Sequence, residues 1–314
     1  MKTVAYQTFG DLNVLEIVEE PEPSLTTGKV LVRVKAVSIN PIDWKIRKGE
    51  MKLMSGAKFP RHTGLDFAGV VERTGAAAGR VAAGDQVFGV VPNLMKDGAL
   101  SEYVVVPATS LWKKPAHLSF AQAASLPVVG TAAVTALRKM GTIGPGTKIL
   151  VNGATGGLGM ILLQLLKRRG AEVTAVTGPK NLEYAEEWGA DKVVDYSETN
   201  VVDQRETYDV IVDLSDKLPY TQAKPIMKDE ARFLDLTPGP IDIALSPVKN
   251  LLRGKKHVAV LADQSESKMS ELLDAVDSGL QIMVNRVFPF DRSVEAYRYA
   301  EGGGVAGKVA IEFS

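Results

Sequence analysis

The sequence predicts an α/β protein in two parts, a β-rich domain and a doubly wound parallel sheet. Three observations carry that prediction. The first third alternates apolar and polar residues in short runs between turn formers, as half-buried strands do. From residue 119 onward, helix-forming and strand-forming segments alternate, which is the order of a parallel sheet covered by helices on both faces. A glycine-rich loop, Asn152-Gly153-Ala154-Thr155-Gly156-Gly157-Leu158-Gly159, stands between the first strand and the first long helix of that alternation.

In the β-rich part, residues 30–37 follow Thr27-Gly28 and read as a strand, as do 67–72 and 86–91. Residues 103–106 form another, closed by Pro107. Residues 119–126 read as a helix start with Ser119 as N-cap, and 132–139 as a helix beginning at Thr131 and stopped by Gly141. Then come strand 148–151 and helix 160–168, with Ile161, Leu162, Leu165 and Leu166 on its apolar side. Strand 172–176 and helix 182–188, ended by Gly189, follow. Residues 192–195, 210–213, 232–236 and 257–261 supply further strands. Residues 267–278 form a helix with Leu272, Leu273 and Val276 as its stripe, and 282–288 and 309–313 are β-like. There is no internal repeat, coiled coil or low-complexity segment.

Composition narrows the function classes. The 314 residues carry 37 Lys+Arg against 37 Asp+Glu, which argues against a nucleic-acid partner. An apolar share of 45% and a mean hydropathy of +0.02 suit packed cores rather than disorder. Zero cysteines exclude disulfides, thiolate zinc sites, iron–sulfur clusters and a cysteine nucleophile, and fit a reducing compartment. The opening MKTVAYQTFG lacks the apolar core of a signal peptide. Residues 115–137 and 149–166 are long and uncharged, but Pro127, Gly130, Asn152, the loop glycines and Gln164 argue against a membrane span. The expected setting is cytoplasmic, without membrane association.

Glycines 153, 156 and 159 allow a tight turn, close backbone approach to a phosphate and close packing of helix on strand. The unpaired amides at a helix N-terminus would then face the anion. Gly153, Ala154, Thr155, Gly156, Gly157, Leu158 and Gly159 are therefore candidate dinucleotide-binding residues; the alternative is a purely structural turn. The cofactor's identity depends on the end of the second strand, about 20 residues further on. A ribose 2′-hydroxyl would be held by a carboxylate there, and a 2′-phosphate by a cation. The segment reads Val176-Thr177-Gly178-Pro179-Lys180-Asn181, with no acid before Glu183. Thr177, Lys180 and Asn181 favour NADP, against a turn with one solvated lysine.

Six ordered blocks resemble the medium-chain dehydrogenase/reductase superfamily, in its zinc-independent quinone and enone oxidoreductase branch. They are Ser38-Ile39-Asn40-Pro41-Ile42-Asp43-Trp44-Lys45-Ile46-Arg47-Lys48-Gly49, Gly64-Leu65-Asp66-Phe67-Ala68-Gly69-Val70-Val71, Gly84-Asp85-Gln86-Val87-Phe88-Gly89, Ala124-Ser125-Leu126-Pro127-Val128-Val129-Gly130-Thr131, the glycine loop, and Gly189-Ala190-Asp191-Lys192-Val193-Val194-Asp195-Tyr196. The resemblance implies a GroES-like catalytic domain, residues 1–118 and 264–314, enclosing a Rossmann NADP-binding domain, residues 119–263. It also implies homodimers and NADPH-dependent reduction of a small-molecule quinone or enone. Zinc-dependent relatives carry Gly-His-Glu where this chain has Gly64-Leu65-Asp66, so a ligand histidine is replaced by leucine and no metal is expected. His62, beside that block, is expected to be ordinary structure.

By the same resemblance Asn40 and Lys45 are the catalytic candidates, the first as an amide donor and the second to stabilise an enolate or relay a proton. The structural alternatives are a loop-forming Asn40 before Pro41 and a Lys45 paired with Asp43 or Asp66. Thr131 is a nicotinamide-side contact or else an N-cap. Tyr196 lies by the adenosine phosphate or simply ends a strand. Leu236 and Thr237, after a strand, would present backbone groups to the carboxamide. Trp44, Met51, Leu53 and Met54 would wall the substrate pocket or pack apolar surface. The competing function is a non-catalytic NADPH-binding structural or regulatory protein.

Overall fold

The computed structural model describes residues 1–236, 250 and 254–314. The chain divides into two compact units. The first comprises Met1–Val128, Val284–Gly303 and Lys308–Ser314; the second comprises Val129–Met283 and Gly304–Gly307.

The first unit is built on a seven-stranded sheet. Its path runs Val284–Pro289, Lys308–Glu312, Lys29–Ser38, Asp66–Thr74, Gln86–Val90 and Leu111–Lys113, with Tyr103–Pro107 also paired to Lys29–Ser38. Val30, Leu31, Val32 and Val34 of the central strand are all buried, because the sheet is covered on both faces there. A three-stranded sheet joins Glu16–Glu19, Lys2–Tyr6 and Arg61–His62. The C-terminal strand runs antiparallel to the central one, with Ala310 opposite Ser38. The chain end therefore places Lys308 beside the segment that begins at Asn40.

The second unit is a six-stranded, wholly parallel sheet in the order Lys192–Asp195, Glu172–Thr177, Lys148–Asn152, Tyr208–Asp213, Met227–Asp235, Lys256–Ala259. Parallel strands require crossover connections, and helices Gly157–Arg168 and Leu182–Glu187 supply two of them. Strand order reverses around Lys148–Asn152, which pairs with Glu172–Thr177 on one side and Tyr208–Asp213 on the other. Doubly wound sheets bind ligands at the carboxyl ends of the strands at such a point. Ile149, Leu150 and Val151 are buried with Ile161, Leu162, Leu165 and Leu166 of the following helix.

Two sequence expectations differ from what is found. The units divide at 128/129 and 283/284 rather than at 118/119 and 263/264. Helix Glu266–Asp277 belongs to the second unit, where Leu272 packs so closely on Gly130 that a Cβ there would lie 2.2 Å from its Cδ2. The helix expected to begin at Thr131 instead begins at Pro127. Proline suits a first helical turn, since its missing N–H would have no partner there. Thr131 is thus an interior helical residue, fully buried, and its carbonyl accepts the Thr135 hydroxyl at 2.7 Å. Among the described residues no helix is long and apolar enough to cross a membrane.

Candidate functional site

The second unit brings the glycine loop to the reversal point of its sheet. Gly153 has φ +78° and a Cβ there would meet Ser215 at 3.0 Å, so a side chain would be both strained and crowded. Gly153 and Ala154 both donate to Val176 O at 3.1 Å, which ties the loop to the adjacent strand. Gly156 caps helix Gly157–Arg168, and the first bond into the helix runs from Met160 N to Gly156 O. The N–H groups of Leu158 and Gly159 therefore stand at the open helix end, where the dipole favours an anion, while Gly156 forms a parallel bridge with Gly307 that engages the N–H of Gly157. Around Gly156 a Cβ would meet nothing nearer than Gly153 O at 3.8 Å, so the loop is an uncrowded backbone cradle. Its shape and donors fit a dinucleotide pyrophosphate.

The neighbouring strand end completes this side. The hydroxyls of Thr155 and Thr177 share a hydrogen bond, so Thr177 is held against the loop. Lys180 is exposed, and the phenol of Tyr196 projects with 63% exposure. Asn181 is buried and donates to Gly304 O at 3.2 Å, a contact that anchors the strap Gly304–Gly307. The same strap returns its Gly307 N–H to Thr155 O at 2.9 Å. Leu236 follows strand Met227–Asp235 and is half-buried. Thr237 lies outside the described residues.

In the first unit, Asn40 precedes helix Pro41–Arg47 and is 1% exposed. Its backbone N–H donates to Asp43 Oδ2 at 2.9 Å. Its side-chain Nδ2 donates to Asp66 Oδ2 at 2.9 Å, and its Oδ1 accepts from Lys308 Nζ at 2.6 Å. Lys308 Nζ also donates to Ile39 O at 2.7 Å, and Asp66 Oδ1 accepts from Val128 N at 3.1 Å. Asp43 Oδ1 is buried without a hydrogen-bond partner, and Asp43 lines a small recess with Ile46, Thr63, Gly64 and Leu65. Burial pushes both carboxyls up, each to about 7, despite the opposing pull of Lys308. Burial likewise lowers Lys308 to about 8 against the attraction of Asp66 and Asp43. Lys45, on the same short helix, is half-buried.

Sequence reasoning singled out Asn40 and missed Lys308. No local pattern marks that lysine, which lies 268 residues from Asn40. Leu53 and Met54 do not pack as apolar residues usually do; they stand 93% and 59% exposed on the short helix Lys52–Ser55.

Comparison with known proteins places this arrangement. Residues 26–116 match the alcohol dehydrogenase GroES-like domain, and residues 188–311 match the zinc-binding dehydrogenase domain. The chain is 30% identical to the chloroplast envelope quinone oxidoreductase homolog of Arabidopsis thaliana, over 99% of this chain and 98% of that protein. The chain belongs to the quinone oxidoreductase branch of the medium-chain dehydrogenase/reductase superfamily. As a member of that superfamily it is an oxidoreductase. It is 29% identical to the chloroplastic NADPH-dependent alkenal/one oxidoreductase of Arabidopsis thaliana, over 99% of this chain and 79% of that protein. Among solved structures it superimposes on the quinone oxidoreductase from Coxiella burnetii with TM-score 0.90 at 27% identity, covering 99% of both chains.

Leu65, the residue that the resemblance sets opposite the ligand histidine of zinc-dependent relatives, is 2% exposed and has no polar side-chain atom. His62 sits next to it but faces Glu20, with Nε2 3.1 Å from the carboxylate. His257 lies in the second unit against Asp235 and stacks on Tyr220. Among the described residues no group of three or more His, Asp or Glu side chains is arranged to hold a metal ion.

Proposed function

We propose that this chain reduces quinones or α,β-unsaturated carbonyls with hydride from NADPH, as a homodimer in the cytoplasm. The observation that carries the reading is a buried leucine, Leu65, where the resemblance sets a metal ligand, in a chain without cysteine. Polarisation of the acceptor then falls to hydrogen-bond donors. A conjugated carbonyl or quinone spreads the developing charge onto oxygen, where such a donor suffices, whereas a saturated ketone demands the stronger pull of a metal.

The glycine loop would hold the pyrophosphate through the open amides of Leu158 and Gly159. Thr177, Lys180 and Tyr196 would meet the adenosine phosphate and Leu236 the nicotinamide end; Thr131, fully buried inside its helix, would support that end from behind rather than touch it. When bound, the cofactor supplies the hydride. Lys45 is the candidate donor to the acceptor's oxygen or α-carbon. The amide of Asn40 is engaged at both ends by Asp66 and Lys308, which suits orientation of that segment better than donation to a substrate. The names of the relatives, one a quinone oxidoreductase homolog and the other an NADPH-dependent alkenal/one oxidoreductase, support this choice of substrates. The test is steady-state oxidation of NADPH against short enals, ring enones, quinones and their saturated counterparts. Conjugated acceptors should turn over far faster; equal rates on a saturated ketone and its enone would refute the reading.

A further inference from the structure

Lys308 is buried at the start of the C-terminal strand, with 4% of its surface exposed. Burying an ammonium is costly unless it is paired and hydrogen-bonded, so what it touches is informative. Its Nζ donates to Ile39 O and to Asn40 Oδ1, at 2.7 and 2.6 Å. At the other end of the same carboxamide, Asn40 Nδ2 donates to Asp66 at 2.9 Å. An ammonium can only donate. Lys308 at one end of the amide therefore admits a single orientation of Asn40, with Oδ1 toward the lysine and Nδ2 toward Asp66. Asn40 is also the N-cap of helix Pro41–Arg47, and its N–H is held by Asp43 within that helix. The helix carries Trp44 and Lys45 in its middle turn.

We propose that Lys308 is a positioning residue for the reduction: it holds Asn40, and through it the start of the helix bearing Lys45, in the orientation that turnover requires. The inference rests on the reductase reading above. Two other charged groups face the ammonium, Asp66 from the strand Asp66–Thr74 and Asp43 from the helix. Behind Asp43 stand Tyr297, whose hydroxyl bonds Thr63 at 2.9 Å, and Arg47, which is paired with Glu301 at 2.7 Å. Because burial lowers Lys308 to about 8, mild alkali removes the charge that fixes Asn40. Arginine at the same place would keep its proton throughout.

The experiment uses the full chain labelled with 5-fluorotryptophan, the Trp44 resonance being assigned with Trp44→Phe. In the parent protein the fluorine shift of Trp44 should titrate on the alkaline side with a midpoint near that of Lys308, with or without NADPH. The kcat for an enone or quinone should fall with the same midpoint. Lys308→Arg should abolish the alkaline limb in both readouts. Lys308→Met should lower kcat by about tenfold or more, the scale expected of a displaced reacting group, while the KM for NADPH stays within about twofold. A Trp44 resonance indifferent to pH between about 7 and 9, or an alkaline limb retained in Lys308→Arg, would overturn the proposal. Should the arginine variant fail to fold, Lys308→Met takes its place in the titration and should lack the midpoint near 8, which separates the lysine from Asp43 and Asp66 near 7; a limb retained there overturns the proposal. A parent that reduces no acceptor overturns the reductase reading, and the fluorine titration still tests whether Lys308 sets the helix.

Discussion

The phenolic oxygen of Tyr196 lies 2.9 Å from the point that a Cβ on Gly178 would occupy. The two residues end adjacent parallel strands, with Thr177 opposite Asp195 in the register. Only a residue without a side chain at 178 leaves the phenol in place over the turn Gly178-Pro179-Lys180. The ledge so formed presents an exposed phenol and an exposed ammonium; the carboxylate of Asp195 accepts from the N–H and hydroxyl of Ser197 at 2.8 and 2.7 Å, and Glu183 is exposed on the next helix.

A 2′-phosphate brings about −1.5 to −2 charges to that ledge at neutral pH. A hydrogen bond to a charged group contributes about 1.5–3 kcal/mol, and exposure of Lys180 draws the value to the low end. Lys180→Ala is therefore expected to weaken NADPH several-fold and leave NADH nearly unchanged. Dissociation constants for both cofactors, in parent and variant, check this. Equal affinity of the parent for the two would contradict it.

Gly159 offers a second test, on the packing of helix against loop. A Cβ there would lie 2.2 Å from Ala154 O and 2.5 Å from Ala154 C, and these are backbone atoms that cannot rotate away. Gly159→Ala must push the helix N-terminus from the loop it supports. Dinucleotide affinity is expected to fall by about tenfold or more, with a lower melting temperature, as for overpacked cores. Isothermal titration together with a thermal melt would show it; parent-like values in both would remove the loop from the binding role.

Much of the second unit was legible in the sequence because its signals are local. A strand, a glycine loop and an amphipathic helix follow one another within about 30 residues, and each carries its own periodicity. The Ser119 cap was legible for the same reason: Ser119 and Gln122, three residues apart, exchange bonds at 3.1 and 3.0 Å. The charge cluster of the first unit was not. Asn40 meets Asp66 across 26 residues and Lys308 across 268, distances over which no spacing rule operates. Helix Pro41–Arg47 was missed because seven residues opened by proline give too little periodicity. Strand Glu16–Glu19 was missed because it is largely exposed and shows no buried face. Thr131 lies inside the helix because the helix opens one turn earlier, at Pro127, whose missing N–H suits a first turn.

A metal-free site is the third expectation. Leu65 offers no donor, His62 faces Glu20, and the chain has no thiolate to contribute. The purified protein should contain no stoichiometric zinc and should keep its turnover in excess chelator. One zinc per chain by elemental analysis, with activity lost on chelation, would sink the expectation.

The last prediction concerns stability and pH, and its sign follows from the buried cluster. Asp43 and Asp66 are raised to about 7 by burial, whereas in the unfolded chain each would titrate near 3.8. Between those values the folded protein holds more protons than the unfolded one. Their contribution to stability is fully present below the unfolded value and is lost as pH rises through about 7. Lys308, lowered to about 8 from 10.5, runs the other way: its contribution is present above the unfolded value and is lost as pH falls through about 8. Other carboxyls oppose the acid-side slope, since Glu206, Asp209 and Asp263 are held low by Lys148, Lys228 and Lys268, against desolvation at Asp209. A difference curve separates the two classes. Asp43→Asn deletes one raised carboxyl and leaves the others in place. Its unfolding free energy relative to the parent should improve steadily as pH rises from about 5 to about 7.5, by at most about 1.4 kcal/mol per pH unit for one proton. Urea midpoints measured across that range provide the check. Parallel curves for parent and variant would mean that Asp43 does not carry the extra proton in the folded protein.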